Sequence, residues 1–233
     1  MRQRYATGVN VVEPIVVKKR FGQEWTDIRE FIRPNDYMVA ALVDSKSTWT
    51  VIEAWEWVLN NIRYPIGVFS DPDRHRHSAY GMVALPLIGP LISSRKYTTG
   101  DYWNFPAETL RDNMGDCEDS SFLLTSMLRR IEPNMEAYST VGYFDQYGHV
   151  WTSILRNGEW LILDTTLDKM PQLVPTERSR PMYRPLFRFN ERDIIIVDPN
   201  FADLPILHER GKDAVIQTWY AVLAGDYRVG TRI

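Results

Sequence analysis

Some stretches of the chain carry apolar residues at helical spacing, and others carry the short apolar-rich runs of strands. Over residues 48–62, Val51, Ile52, Trp55, Val58, Leu59 and Ile62 fall on one helix face, with Ser47 or Thr48 as the cap and Pro65 beyond the end. A second helix follows Cys117, with Leu124, Met127, Leu128 and Ile131 as its buried stripe. After Pro133 come AYSTVGYF (137–144), HVWTSIL (149–155) and EWLILD (159–164), each strand-like. Residues 11–17 (VVEPIVV) read as a short extended segment kept to an edge by Pro14, and residues 25–32 as a turn or two of helix closed by Pro34. A proline- and arginine-rich stretch (171–188) precedes a strand, DIIIV (193–197). A last helix over 212–224 places Val215, Trp219, Val222 and Leu223 on one side. Helices first and antiparallel strands after them predict an α+β fold, with the cysteine-bearing helix packed on the sheet.

Residues 66–101 break the pattern with four glycines and three prolines. A connection of this length in a compact domain is functional or mobile, and this one is expected to border a cleft.

Composition narrows the classes. At 233 residues and 44% apolar, the chain can bury a core of its own. A net charge of -3 gives no reason to expect nucleic acid as a partner. The longest apolar run, MVALPLIGPLI (82–92), is too short to span a bilayer, and the first residues lack the apolar core of a signal peptide. A single cysteine excludes an internal disulfide. The expectation is a cytoplasmic protein with no membrane partner and of undetermined oligomeric state.

That cysteine is placed oddly. Asp116 is a good N-cap residue and Asp119 completes an acidic capping box, which puts Cys117 at the first helical position. Backbone N–H groups there lack helical partners, so they favour a thiolate and can hold an oxyanion. Asp116, Glu118 and Asp119 oppose the thiolate, so activation requires a cationic partner. Without one, Cys117 is core, aligned with Ser121, Leu124 and Leu128.

Strand register supplies the partner. Asn157-Gly158 between two apolar-rich runs is a hairpin signal, and a two-residue loop sets Arg156 opposite Glu159. Counting back, Trp151 faces Asp164 and His149 faces Thr166, with all four side chains on one side of the sheet. Val150, Thr152, Ile154, Leu161 and Leu163 take the other side. His149 and Asp164 become diagonal neighbours, the relation in which a carboxylate orients an imidazole. A purely structural His–Asp pair is the alternative. An imidazolium on a buried face should outweigh the three acids, provided these cap the helix or face water.

GDCED (115–119) opening a helix, GHVW (148–151) on one strand and GEWLILDTT (158–166) on the next together resemble the transglutaminase-like superfamily. DYWNFPAETL (101–110) is similar to the segment before the nucleophile in its bacterial and phage cysteine-peptidase branch, and NNIRYP (60–65) to the end of its first helix. The resemblance covers roughly residues 48–168 and extends toward FNERD (189–193). It implies a papain-like fold over 46–200, interrupted by 66–101, with extensions at 1–45 and 201–233. It implies Cys117 as nucleophile, His149 as base, Asp164 as its orienter and Trp103 as a second oxyanion donor. Calcium binding by Asp116 and Glu118 is a further implication, helix capping by these acids being the favoured reading and no cofactor the default. The expected chemistry is peptide or isopeptide hydrolysis on a protein or peptide substrate. The alternatives are glutamine cross-linking or deamidation, and a non-catalytic module keeping the fold.

Two other patterns are set aside. Asp71, Asp73, His75 and His77 alternate in DPDRHRH, but no second ligand cluster accompanies them. Arg178, Arg180, Arg184, Arg188 and Arg192 read as a solvated basic face.

Overall fold

The computed structural model describes residues 9–11, 16–17, 26–64, 103–145, 147–167 and 170–198. The irregular stretch 66–101, with Asp71, Asp73, His75 and His77, and the helix expected over 212–224 lie outside the described residues. The elements are β1 (Val9–Val11), β2 (Val16–Val17), β3 (Thr26–Asp27), a 3-10 turn (Ile28–Phe31), α1 (Tyr37–Asp44) and α2 (Val51–Asn61). They continue with α3 (Pro106–Asp112), α4 (Cys117–Ile131), β4 (Ala137–Phe144), β5 (Tyr147–Arg156), β6 (Glu159–Leu163), β7 (Tyr183–Phe189) and β8 (Ile194–Ile196). Six strands form one antiparallel sheet in the order β1-β8-β7-β4-β5-β6, while β2 and β3 pair separately. The α+β expectation is met; of the extended segment read over 11–17, Val11 ends β1 at a sheet edge, Val16 and Val17 form β2, and Pro14 lies outside the described residues. Among the described residues no helix is long and apolar enough to cross a membrane.

Local chemistry explains where the helices begin. The cap of α2 is Thr50 rather than Ser47 or Thr48: Glu53 N donates to Thr50 Oγ1 at 3.2 Å, and Thr50 N donates to Glu53 Oε2 at 2.8 Å. This reciprocal pair satisfies two N–H groups that the helix leaves open. Two helices escaped the sequence reading. In α1 (YMVAALVD) an almost unbroken apolar run hides the period, although only Val39 and Val43 are buried; Asp36 caps it by accepting from Met38 N at 2.9 Å. Short α3 opens with Pro106, whose missing N–H costs nothing at a helix start.

Strand alternation divides the sheet into two faces. One presents Val141, Val150, Ile154 and Leu163 to the helices, where they meet Phe122, Leu123, Leu124, Met127 and Leu128 of α4. Burying each such side chain contributes about 1.5–3 kcal/mol. Through the middle of this interface runs a seam of hydroxyls. Ser121 Oγ donates to Ser139 Oγ at 3.1 Å, Thr125 Oγ1 is 2.9 Å from Ser139 Oγ, and Thr152 Oγ1 donates to the Ser121 carbonyl at 3.1 Å. All four hydroxyl residues are fully buried, and these bonds fix how far α4 can slide along β5. Ile28, Phe31, Ile32, Val39 and Val43, which precede residue 46, belong to the same two core clusters.

The outer face departs from expectation. The proline- and arginine-rich stretch, for which no strand was expected, contains β7, which pairs with the central strand β4. Pro185 is tolerated there because the ladder shifts register between Val141 and Gly142. Nor is the arginine stripe uniformly solvated. Arg178, Arg180, Arg184 and Arg192 are exposed, but Arg188 is buried, paired with Glu177 and laid over the Trp160 ring at 4.0 Å. Alternation on β7 sets Arg188 on the outer face, where Trp160 and Glu177 cover it.

Candidate active site

Cys117 is the first residue of α4 and is half-buried. Asp116 holds the N-cap position, but its side chain makes no capping bond, and Asp119 closes no capping box. Asp119 instead accepts from Asn104 N at 2.7 Å and from Asn104 Nδ2, tying the segment before α3 to the start of α4. Gly115 makes room for this: a Cβ there would lie 2.6 Å from Asp119 Cβ and 3.2 Å from Thr109 Cγ2. Thus the glycine of GDCED answers to packing rather than to a positive φ.

Two of the three neighbouring acids do not face water, contrary to expectation. Glu118 and Asp119 are 2% and 1% exposed, and the Cys117 thiol donates to Glu118 Oε2 at 3.2 Å. Among the described residues, Asp116, Glu118 and Asp119 bring their ligand atoms within 4.8 Å of one another, a donor set of hard oxygens that suits calcium.

The hairpin register is as read from the sequence: Arg156 pairs with Glu159, and Asn157 and Gly158 both have positive φ (54° and 81°). The ladder ends at Thr152 opposite Leu163, so Asp164 lies one residue beyond β6 and Thr166 is not paired with His149. His149 Nε2 nevertheless lies 2.8 Å from Asp164 Oδ2. Val150, Thr152, Ile154 and Leu163 take the helix-facing side, while His149 springs from the other. Cys117 still reaches the imidazole. Since β6 stops at Leu163, the chain turns there and α4 is anchored beside the turn, with Ser120 Oγ 2.7 Å from Thr165 Oγ1 and donating to the Asp116 carbonyl at 2.6 Å.

Electrostatics follows from these contacts. Burial opposes charge on His149, but hydrogen bonds with Asp164 and Cys117 and their negative charge overcome it, lifting its pKa from 6.5 to about 10. Burial would raise the pKa of Asp164, yet the hydrogen bonds from His149, Tyr183 and Thr166 hold it below the usual carboxylate range. The pair is therefore a buried carboxylate facing an imidazolium. Phe144, Trp151 and Tyr183 surround the ring, Trp151 stacking at 6.0 Å between centroids.

Cys117, His149 and Asp164 are thus brought together. Trp103 is fully buried, its ring edge-on to Phe31 and Phe122 in the cluster that Cys117 borders. Two residues of the site were missed. Tyr183 donates its hydroxyl to Asp164 Oδ2 at 2.6 Å, and Trp55 Nε1 donates to the Asp164 carbonyl at 2.8 Å. Prolines 181 and 185 masked the alternating apolar positions that would have exposed Tyr183 as a strand residue. Trp55 was correctly placed on its helix, but nothing local shows that its indole crosses to the sheet.

Residues 36–174 match the transglutaminase-like domain family. Among solved structures, Legionella pneumophila LapG is 20% identical, the match covering 78% of this chain and 86% of that one, with a TM-score of 0.45. Calcium-bound LapG from the same organism is 19% identical over 64% of this chain and 88% of its own, with a TM-score of 0.36. A comparison with curated proteins finds no match.

Proposed function

The chain belongs to the transglutaminase-like domain family, and from that premise we propose that it is a cysteine hydrolase acting on a peptide or isopeptide bond of a protein or peptide substrate. The observation that carries the reading is the His149 imidazole held between Asp164 and the Cys117 thiol at the start of α4. Nε2 is committed to Asp164, which leaves Nδ1 for the sulfur.

The Cys117 thiol passes its proton to His149, giving a thiolate–imidazolium pair; Sγ then attacks the carbonyl carbon, and the carbonyl π electrons move onto oxygen, which the open N–H groups of the first turn of α4 stabilise. Trp103 is the second donor to this oxygen. As the C–N bond breaks, imidazolium His149 gives its proton to the leaving amine, and a thioester remains on Cys117. Neutral His149 then takes a proton from water as the water oxygen attacks the thioester. Collapse of that intermediate releases the carboxylic acid and restores the thiolate–imidazolium pair. Asp164 keeps its charge throughout and holds the ring.

Calcium fits the acids beside the nucleophile. Asp116, Glu118 and Asp119 would hold it, and its charge would offset the carboxylate that faces the Cys117 sulfur. Added calcium should raise the melting temperature of the wild type and leave that of Asp116→Asn/Glu118→Gln unchanged.

The decisive experiment compares wild type with Cys117→Ala on a peptide library, with and without an added primary amine. Cleavage by the wild type alone supports the proposal. Equal products from both proteins overturn it. Amide products that appear only with amine would identify cross-linking instead, and a thiol inert to iodoacetamide in a cleavage-inactive wild type would identify a non-catalytic module.

A further inference from the structure

Four donors converge on the Asp164 carboxylate. Thr166 supplies two to Oδ1, its N at 2.9 Å and its Oγ1 at 2.8 Å, from only two residues away. The other two share Oδ2: His149 Nε2 at 2.8 Å and the Tyr183 hydroxyl at 2.6 Å. Thr166 alone suffices to fix the rotamer, so Tyr183 is not needed for that. What Tyr183 does uniquely is compete with His149 for one oxygen.

The structure takes some trouble to bring it there. Tyr183 lies on β7, separated from β5 by β4, and its ring packs on Phe144 at 4.8 Å and on Trp151 at 5.2 Å between centroids. Gly142, opposite His149 on β4, allows β7 to approach, since any Cβ there would run into the Arg184 carbonyl and lie 2.9 Å from Pro185 Cα. Burial, and then the neighbouring Asp164, raise the Tyr183 pKa, so the phenol remains a donor at any pH at which the protein works.

We propose that Tyr183 is a positioning residue of this site: by donating to the oxygen that holds His149, it takes up part of the carboxylate's charge and leaves the imidazole able to release its proton. The inference rests on the Cys117–His149–Asp164 reading. It concerns the second half of the reaction above all, where the thiolate has become a thioester and Asp164 is the anion still holding the ring. A carboxylate with one donor fewer grips imidazolium harder, so at a given pH less of His149 is neutral and able to take a proton from water.

The groups that face the ring are Cys117 and, through its thiol, Glu118 from α4, Asp164 after β6, and Tyr183 from β7, with Arg180 acting on the tyrosine in turn. Cys117→Ala removes the thiol and mimics the neutral acylated sulfur. In that background the His149 ring protons, followed by NMR across pH, report on Asp164 and Tyr183. Adding Tyr183→Phe, which keeps the ring packing, should raise the His149 titration midpoint by about one unit, the shift expected from one hydrogen bond to a charged group. In the enzyme with its cysteine, the same change should lower kcat severalfold, move the acid limb of its pH profile upward and let acyl-enzyme accumulate. An unchanged or lowered midpoint in Cys117→Ala/Tyr183→Phe overturns the inference. Adding Asp164→Asn to Cys117→Ala separates the two levels: if it too leaves the midpoint in place, Asp164 does not govern His149 and the underlying reading fails.

Discussion

Two buried ion pairs occupy the outer face of the same sheet, and they are built for opposite ends. Arg188 meets Glu177 with the Trp160 ring beneath the guanidinium, and His149 meets Asp164. Both carboxylates are taken out of water. For Glu177 burial wins over Arg188, and its pKa lies above the ordinary value. For Asp164 the outcome is reversed, because donors reach both oxygens. The difference is the supply of donors, not the depth of burial. Arg188 keeps its proton at every relevant pH, so its pair can only hold the 176–180 turn against β7. His149 can give its proton away, and its partner is the anion that has been secured.

The largest expected effects separate the pairs cleanly. His149→Ala should lower turnover on the order of 10²–10⁴-fold, the range of a lost general acid–base group, and should also cost stability, because Asp164 loses its ion-pair partner. Arg188→Met should cost stability alone: it leaves the Glu177 carboxyl without its partner, a loss of up to about 3–5 kcal/mol, while turnover per folded molecule is kept. Urea denaturation together with active-site titration reads both. If Arg188→Met lost turnover in proportion to His149→Ala, the contrast would collapse.

A smaller effect sharpens the structural half. Replacing both members, Arg188→Met with Glu177→Leu, should recover most of the stability lost by the single change, since no buried charge remains. The corresponding double change at His149 and Asp164 should recover stability without any turnover.

Stability against pH gives the next distinction. His149 titrates near 6.5 when unfolded and at about 10 when folded. Its raised value means that its contribution is complete below about pH 6.5 and is lost as pH rises through about 10. The stability difference between wild type and His149→Gln should therefore shrink over that window. The difference between wild type and Arg188→Met has no such window. A His149→Gln difference constant from pH 6 to 10 would mean that the imidazole is neutral in the fold.

These contrasts also show what a sequence can disclose. The hairpin register, and with it the His149–Asp164 relation, follows from Asn157-Gly158 and strand alternation, because both rules act between neighbours in the chain. Cys117 was legible for a similar reason: the helix it opens announces itself by period. Tyr183, Trp55 and the Arg188–Glu177 pair were not, because each depends on which distant strand or helix arrives alongside. The acids beside Cys117 were misjudged on the same ground. Asp119 turns inward to Asn104 across a segment that nothing local places there.

The smallest effect concerns Trp55, the link between the helices and this outer face. Its indole N–H donates to the Asp164 carbonyl at 2.8 Å, and the ring is fully buried beside Val58 and the apolar face of α4. Trp55→Phe keeps an aromatic ring but removes the donor and leaves a smaller ring in the core. A buried carbonyl without its partner costs about 1–3 kcal/mol, so the midpoint of urea denaturation should fall accordingly. The effect on turnover is expected to be only a few-fold, because the carboxylate keeps all four of its own donors and only the backbone beneath it is loosened. Trp55→Phe therefore stands between the two pairs, with a moderate loss of stability and a slight loss of rate. A drop in turnover as large as that of His149→Ala, with stability unchanged, would place the indole in the chemistry itself and would require the division between holding and reacting groups to be redrawn.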